Sequence, residues 1–188
     1  MEFYPAEAGV PAEKRTDRLF LRPLRESDGE RDHEAVMSSA EMLRRWSRSE
    51  WPADHFTLEE NRDDLRRHER EHLERQAFTF TVLNPQETIC LGCVYIMPLR
   101  AQEAALCTGA AHAGNVAFWV RASELAADLD RHLLATLREW LAAEWAFSRV
   151  VFTIGRQEIR QAALLTEVGL ELRSAFTLAD GRPCWAFA

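Results

Sequence analysis

Residues 115–154 read NVAFWVRASELAADLDRHLLATLREWLAAEWAFSRVVFTI. The opening run, Asn115 to Arg121, is short, apolar and aromatic, which predicts a strand. From about Ala126 to Phe147 the apolar residues Leu129, Leu133, Leu137, Trp140, Leu141 and Trp145 recur at helical spacing. They mark the buried face of a long helix. Val150 to Ile154 is a second apolar run and predicts a buried strand. Strand, helix, strand in this order is the pattern of a parallel crossover. The two strands are expected side by side and parallel, splayed at one end.

The flanks supply the rest of the sheet. Arg18 to Pro23 reads as a strand closed by proline. Ser27-Asp28 enters a loosely helical stretch that runs to Trp46, broken near Ser38-Ser39. Arg48 to His55 is a loop. Thr57 to Gln76 is the clearest helix, because Thr57 and Glu60 form a capping box. Its stripe is Leu58, Leu65 and Leu73, and Asp63–Arg67 and Glu71–Arg75 stand at the favourable spacing for ion pairs. Phe78, Phe80 and Val82 alternate with threonines as a half-buried strand. After the turn at Asn84 to Glu87, Ile89 to Leu99 is the next strand, and residues 100–114 read as loop. Gln157 to Val168 is a helix stopped by Gly169, and Leu170 to Ala188 a hairpin around Asp180-Gly181. The expected class is α/β (α+β). It has a mixed, mostly antiparallel twisted sheet of six to seven strands with helices on both faces. Residues 1–15 read as an arm and 16–188 as a single domain.

Composition narrows the function. The chain has 188 residues, is 47% hydrophobic and 28% charged, and so reads as an ordinary globular domain. A formal net charge of -7 argues against nucleic acid as a partner. No stretch is apolar enough to span a membrane, and no apolar leader precedes Asp17. With four unpatterned cysteines, the expected compartment is the cytoplasm. A homodimer is compatible with these features.

Three motifs carry a chemical and a structural reading. His68-Glu69-Arg70-Glu71-His72 fits the spacing of a zinc-binding helix. Its neighbours Arg66, Arg67, Arg70, Glu74 and Arg75 instead suggest a solvated face, so both histidines are expected exposed and no metal is expected. Cys90-Leu91-Gly92-Cys93 has redox spacing, but it opens a strand rather than a helix and lacks a second pair for zinc. Two buried thiols are expected. The six tryptophans and ten phenylalanines fall largely on core positions rather than forming a base-stacking platform.

Several stretches resemble one family. Thr16-Asp17-Arg18-Leu19-Phe20-Leu21-Arg22-Pro23-Leu24 with Asp28 resembles the first strand of the GNAT acyltransferase superfamily, closest to the ribosomal-protein N-terminal acetyltransferase-like branch. Leu91 to Ile96 resembles its third strand and Val116 to Arg121 its fourth. Leu137 to Leu141 resembles the end of its central helix, and Leu164 to Leu172 its closing leucine-glycine signature. The resemblance covers residues 16–188 and implies acetyl-CoA as cosubstrate. The fourth strand would bind the pantetheine arm and the turn into the central helix the pyrophosphate. An amine, on a small molecule or a peptide, would be the acceptor. The implied contacts are Trp119, Val120, Arg121, Ala126, Ala127, Asp128, Leu129 and Arg131.

The turn departs from the family. Ala126 and Asp128 stand where it usually has glycines. A carboxylate ~5 Å from a phosphate oxygen opposes it by roughly 3 kcal/mol at an effective dielectric of 20. Asp128 and Asp130 also suit the helix's own positive end. Weak or absent acetyl-CoA binding is the expectation from this turn. No residue stands out as the base: Asn115 holds the usual acidic position, Glu158 the usual asparagine, and no tyrosine follows Tyr95. His112, a glutamate or an ordered water are the alternatives. The function classes left open are an acetyl-CoA-dependent N-acetyltransferase, a binding or partner module that has lost acyl transfer, and a zinc hydrolase through His68 and His72.

Overall fold

The computed structural model describes residues 2–188. Its strands are β1 (Lys14–Arg15), β2 (Phe20–Pro23), β3 (Phe78–Leu83), β4 (Cys90–Pro98), β5 (Ala113–Val120), β6 (Arg149–Gly155), β7 (Leu172–Thr177) and β8 (Pro183–Phe187). They form one eight-stranded sheet in the order β1-β2-β3-β4-β5-β6-β8-β7. The expected six to seven strands are thus eight, because Lys14–Arg15, within the segment read as an arm, pairs with Phe20 and Leu21. The helices are α1 (Gly29–Ser38), α2 (Ala40–Ser47), α3 (Leu58–Leu73), α4 (Ala101–Ala104), α5 (Leu129–Glu144) and α6 (Ile159–Glu167). Residues 100–114, read as loop, hold α4 and the start of β5.

The crossover is as the central stretch predicts. β5 and β6 are parallel, pairing Ala113 with Arg149 through Val116 with Phe152. That ladder stops there, although β5 continues to Val120. At its end the buried Asn115 side chain accepts a hydrogen bond from the Thr153 amide at 3.1 Å. α5 starts at Leu129 rather than Ala126, since residues 122–127 form a 3-10 helix.

The chain forms two compact units that exchange strands of sequence. One comprises residues 12–95 and 118–133. Its core joins Phe20 and Leu24 to Val36 on α1, Leu43 on α2, Leu65 on α3, and Cys90, Cys93 and Trp119 on the sheet. α3 carries the predicted cap: Thr57 Oγ1 accepts from the Glu60 amide at 3.2 Å, and Glu60 accepts from the Thr57 amide at 2.7 Å. Its buried stripe differs from Leu58, Leu65 and Leu73. Leu73 is 77% exposed, and Asn61, Leu65, His68 and His72 turn inward. Seven residues past Leu65 the helix returns to within about 20° of it, and eight overshoot by about 80°.

The other unit comprises, among the described residues, 2–11, 96–117 and 134–188. Tyr4 packs on Trp145 and Phe147 there, with ring centroids 5.6 and 4.8 Å apart, and its hydroxyl accepts from the Ala146 amide at 3.2 Å. The start of the chain is therefore folded in. The β7–β8 hairpin turns at Gly181, and α6 ends at Gly169, both at positive φ.

Two residues fix the first unit. Asp28 is fully buried, and its carboxylate takes both arms of Arg22 at 2.8 and 2.6 Å, Arg31 at 3.1 Å and the Arg25 amide at 3.0 Å. Removing one partner of such a pair strands the other charges. Gly92 on β4 meets β5 so closely that a Cβ would lie 2.1 Å from the Trp119 carbonyl oxygen. Asp28→Ala should lower the unfolding free energy by about 3–5 kcal/mol. Gly92→Ala should cost about 1–3 kcal/mol, read as a drop of several degrees in melting temperature. An unchanged melt for Gly92→Ala would show that β4 and β5 do not approach in this way.

Candidate functional site

β5 is held by β4 on one edge in its last residues. The Trp119 carbonyl faces Gly92, and the Arg121 amide donates to the Leu91 carbonyl at 2.8 Å. Backbone groups alternate between the edges of a strand. Those of Phe118 and Val120 therefore turn to the edge away from β4. That is the edge whose ladder with β6 ends at Val116.

The turn after β5 is built without glycine. Residues 122–127 wind as a 3-10 helix, and Asp128 follows in the left-handed region at φ 53°, ψ 35°. This is one of the two positions that the resemblance pairs with a glycine. Asp is among the few residues that adopt this conformation at modest cost, so the backbone keeps the shape a glycine would give. Ala126, Ala127 and Asp128 are exposed, while Leu129 is buried. Arg18 Nη2 donates to the Ala127 carbonyl at 2.8 Å and ties the turn down. Asp130, not Asp128, is the buried acid of the first turn of α5, and it accepts from the Arg131 amide at 3.0 Å.

Arg121 is engaged away from this turn. Its guanidinium forks onto both oxygens of Glu34 on α1, and Nε donates to the Cys90 carbonyl at 2.5 Å. That pairing holds the Glu34 carboxyl below the usual carboxylate range. What Arg121 offers at β5 is thus its backbone.

A second feature lies under α1 and α3. A cavity of about 30 Å³ is lined by Asp32, Asn61, Asp64, His68, Trp51 and Trp119, among others. Asp32 is buried and accepts from Asn61 Nδ2 at 3.1 Å. Burial pushes its carboxyl up to about 6, against the Asn61 hydrogen bond, which lowers it. Tyr95 also lines the cavity and takes a hydrogen bond from Trp119 Nε1 at 3.3 Å. Burial raises the Tyr95 hydroxyl well above its ordinary value, so it stays protonated. Sequence reasoning missed Asp32 and Asn61. The signal was there: Gly29, Asp32 and Val36 share one stripe of α1, and Asn61, Leu65 and His68 one stripe of α3.

The remaining motifs resolve structurally. His68 and His72 are not exposed as expected. His68 packs on Tyr95, and His72 stands edge-on to Phe78 and Phe80 at 5.3 and 5.2 Å between centroids. Burial lowers both histidine pKa values. Among the described residues no group of three His, Cys, Asp or Glu side chains could hold a metal ion. Cys90 and Cys93 are buried thiols, and burial pushes Cys90 up to about 12, far from the reactive range. His112 immediately precedes β5, at the opposite end from Trp119, with its Nδ1 3.9 Å from the Glu2 carboxylate. Among the described residues no helix is long and apolar enough to cross a membrane.

Comparison with known proteins places this architecture. No curated protein matches the chain by sequence. Among solved structures, the ribosomal-protein acetyltransferase RimL in complex with coenzyme A superposes with TM-score 0.73 at 16% identity, over 92% of this chain and 93% of that one. A ribosomal-protein alanine acetyltransferase from Vibrio fischeri gives 0.74 at 16%, over 94% and 95%. The microcin self-immunity acetyltransferase MccE, with acetyl-CoA and AMP, gives 0.71 at 11%, over 92% of each chain. Identities this low carry the fold alone. The sequence model of the acetyltransferase (GNAT) domain matches residues 18–171, most of the chain. The chain therefore belongs to the acetyltransferase (GNAT) domain family.

Proposed function

We propose that this protein is an acetyl-CoA-dependent N-acetyltransferase acting on a primary amine, on a small molecule or a peptide terminus. The single observation that carries the reading is the edge of β5. Its ladder with β6 ends at Val116, and beyond it Val120 turns its backbone groups to that edge. Such an edge can pair with the amides of an extended pantetheine arm as a strand would. Acetyl-CoA would supply the thioester that the amine attacks.

The chain's own residues then have defined roles. The Val120 backbone N–H lies on the edge where the thioester oxygen would gain charge, and a fixed donor there lowers the barrier. Trp119 and Arg121 lock β5 to β4, so the donors do not have to reorganise. The start of α5, from Ala126 to Leu129, offers helix N–H groups to a pyrophosphate, and Arg131 adds charge. Asp128 supports this role through its backbone and opposes it through its side chain. The left-handed turn supplies the shape, which favours an active enzyme over a module without acyl transfer. The Asp128 carboxylate lowers affinity for the cosubstrate without abolishing it. Buried free thiols at Cys90, Cys93, Cys107 and Cys184 suit a reducing compartment such as the cytoplasm.

Calorimetric titration of acetyl-CoA and an assay of amine-dependent CoA release test this reading together. Saturable binding and release are expected. Asp128→Asn keeps the left-handed turn and removes the charge, so it should tighten acetyl-CoA roughly fivefold. Asp128→Ala strains the turn and should gain less. No heat with millimolar acetyl-CoA, in the wild type and in Asp128→Asn alike, would contradict the reading.

A further inference from the structure

The entry to α1 buries two carboxylates one turn apart, Asp28 just before the helix and Asp32 within it, in opposite surroundings. Asp28 is surrounded by Arg22 and Arg31. Asp32 is 4% exposed, yet it makes no ion pair among the described residues. Its Oδ2 takes the Asn61 amide at 3.1 Å, and its Oδ1 faces the Cys90 thiol at 3.9 Å. A buried carboxylate without a cation is costly, and the cost is relieved when a cation arrives. Asp32 lines the cavity of about 30 Å³, which admits about one water-sized group. Asp64 adds a second carboxylate to the lining, and Trp51 and Trp119 add indole rings. Carboxylates give an ammonium group charge-assisted hydrogen bonds, and aromatic faces attract its charge. The small volume admits –NH₃⁺ and excludes a quaternary ammonium.

We propose that this cavity binds the primary ammonium head of an amine ligand, with Asp32 as its counterion, Asn61 positioning Asp32, and Trp51 and Trp119 as walls. As the docking point of the acceptor amine, the site rests on the acetyltransferase reading above. The link is Trp119, which lines the cavity and lies between Phe118 and Val120 on β5. As a cation site it stands without that reading.

The charged and titratable groups around Asp32 agree on the sign of its pH dependence. Just before α1, Asp28 is spent on its arginines, and on α1 His33 bonds the Phe56 carbonyl through Nε2 at 2.8 Å. On α3, Asp64 pairs with Arg67 at 3.1 Å, and His68 meets Glu71 at 3.2 Å and Thr79 at 3.3 Å. On β4, burial keeps Cys90, Cys93 and Tyr95 protonated. Burial raises the Asp32 carboxyl to about 6 and lowers His68. As pH rises through about 6, Asp32 gains its negative charge and any positive charge on His68 is lost. Both changes strengthen cation binding.

The test titrates ethylammonium and tetramethylammonium chloride into the protein without acetyl-CoA, with the tryptophan indole signals followed by NMR. Ethylammonium should shift the Trp51 and Trp119 signals saturably, bind at least about tenfold tighter than tetramethylammonium, and tighten from pH ~5 to ~7. Asp32→Asn should weaken it by at least about tenfold. This variant should melt no lower than the wild type near pH ~7, because a carboxyl raised by folding disfavours the folded state once ionised. Asp64→Asn, at a half-exposed position, should weaken binding about threefold and decides the matter if the first variant fails to fold. Equal responses to the two cations, no response, or full affinity in the folded Asp32→Asn protein would overturn the proposal. Ammonium binding in a protein that fails to bind acetyl-CoA would uphold the cation site and refute the transferase reading, so the two are separable.

Discussion

The hydrogen bond from the Thr153 amide to the Asn115 side chain is the constraint on which the strand pair turns. Buried backbone N–H groups must be paired, and in a sheet the usual partner is a strand carbonyl. Here a side chain takes that place, at the residue after the last β5–β6 pair. The ladder can then end inside the protein without stranding Thr153. Position 115 carries an amide, whose oxygen is a neutral acceptor. The residue that cannot serve as a base thus has a structural task.

Beyond that point β5 depends on β4. Gly92 lets the Trp119 carbonyl approach where any Cβ would collide, and the Arg121 amide closes the contact through Leu91. The Arg121 side chain reaches Glu34 and the Cys90 carbonyl, tying α1 to the same strands. α1 in turn carries Asp28, whose arginines hold β2 and the helix start together. A chain of polar contacts thus fixes the end of β5 from one side. The cavity beside Asp32 sits within that framework, and its lining is buried except at the half-buried Trp51, Asp64, His68 and Tyr95.

What the sequence revealed follows from which forces act locally. Capping at Thr57 and the breaks at Gly169 and Gly181 are local, and each appears where the residues place it. β3 also lies where Phe78 to Val82 places it, but it is buried on both faces rather than half-buried, because Thr79 and Thr81 are covered as well. The strand–helix–strand stretch is legible because burial imposes its period. The buried polar residues were not legible. Asp32, Asn61, His68 and His72 lie on inward stripes, but their polarity hides them from a search for apolar periodicity. The nearby charges of α3 made His68 and His72 look solvated, and Leu73 took the place in the stripe that His72 holds. The left-handed turn at Asp128 was equally hidden. A missing glycine signals a lost conformation unless the replacement is a residue that tolerates it.

The central claim is that β5, beyond the end of its ladder with β6, receives the extended arm of an acyl-CoA cosubstrate. Amide hydrogen exchange, measured residue by residue with and without acetyl-CoA, tests it most directly. The account predicts new protection at Val120 and at the start of α5, with Trp119 and Arg121 little changed because β4 already holds them. Unchanged exchange at Val120, with protection appearing on other strands, would contradict it.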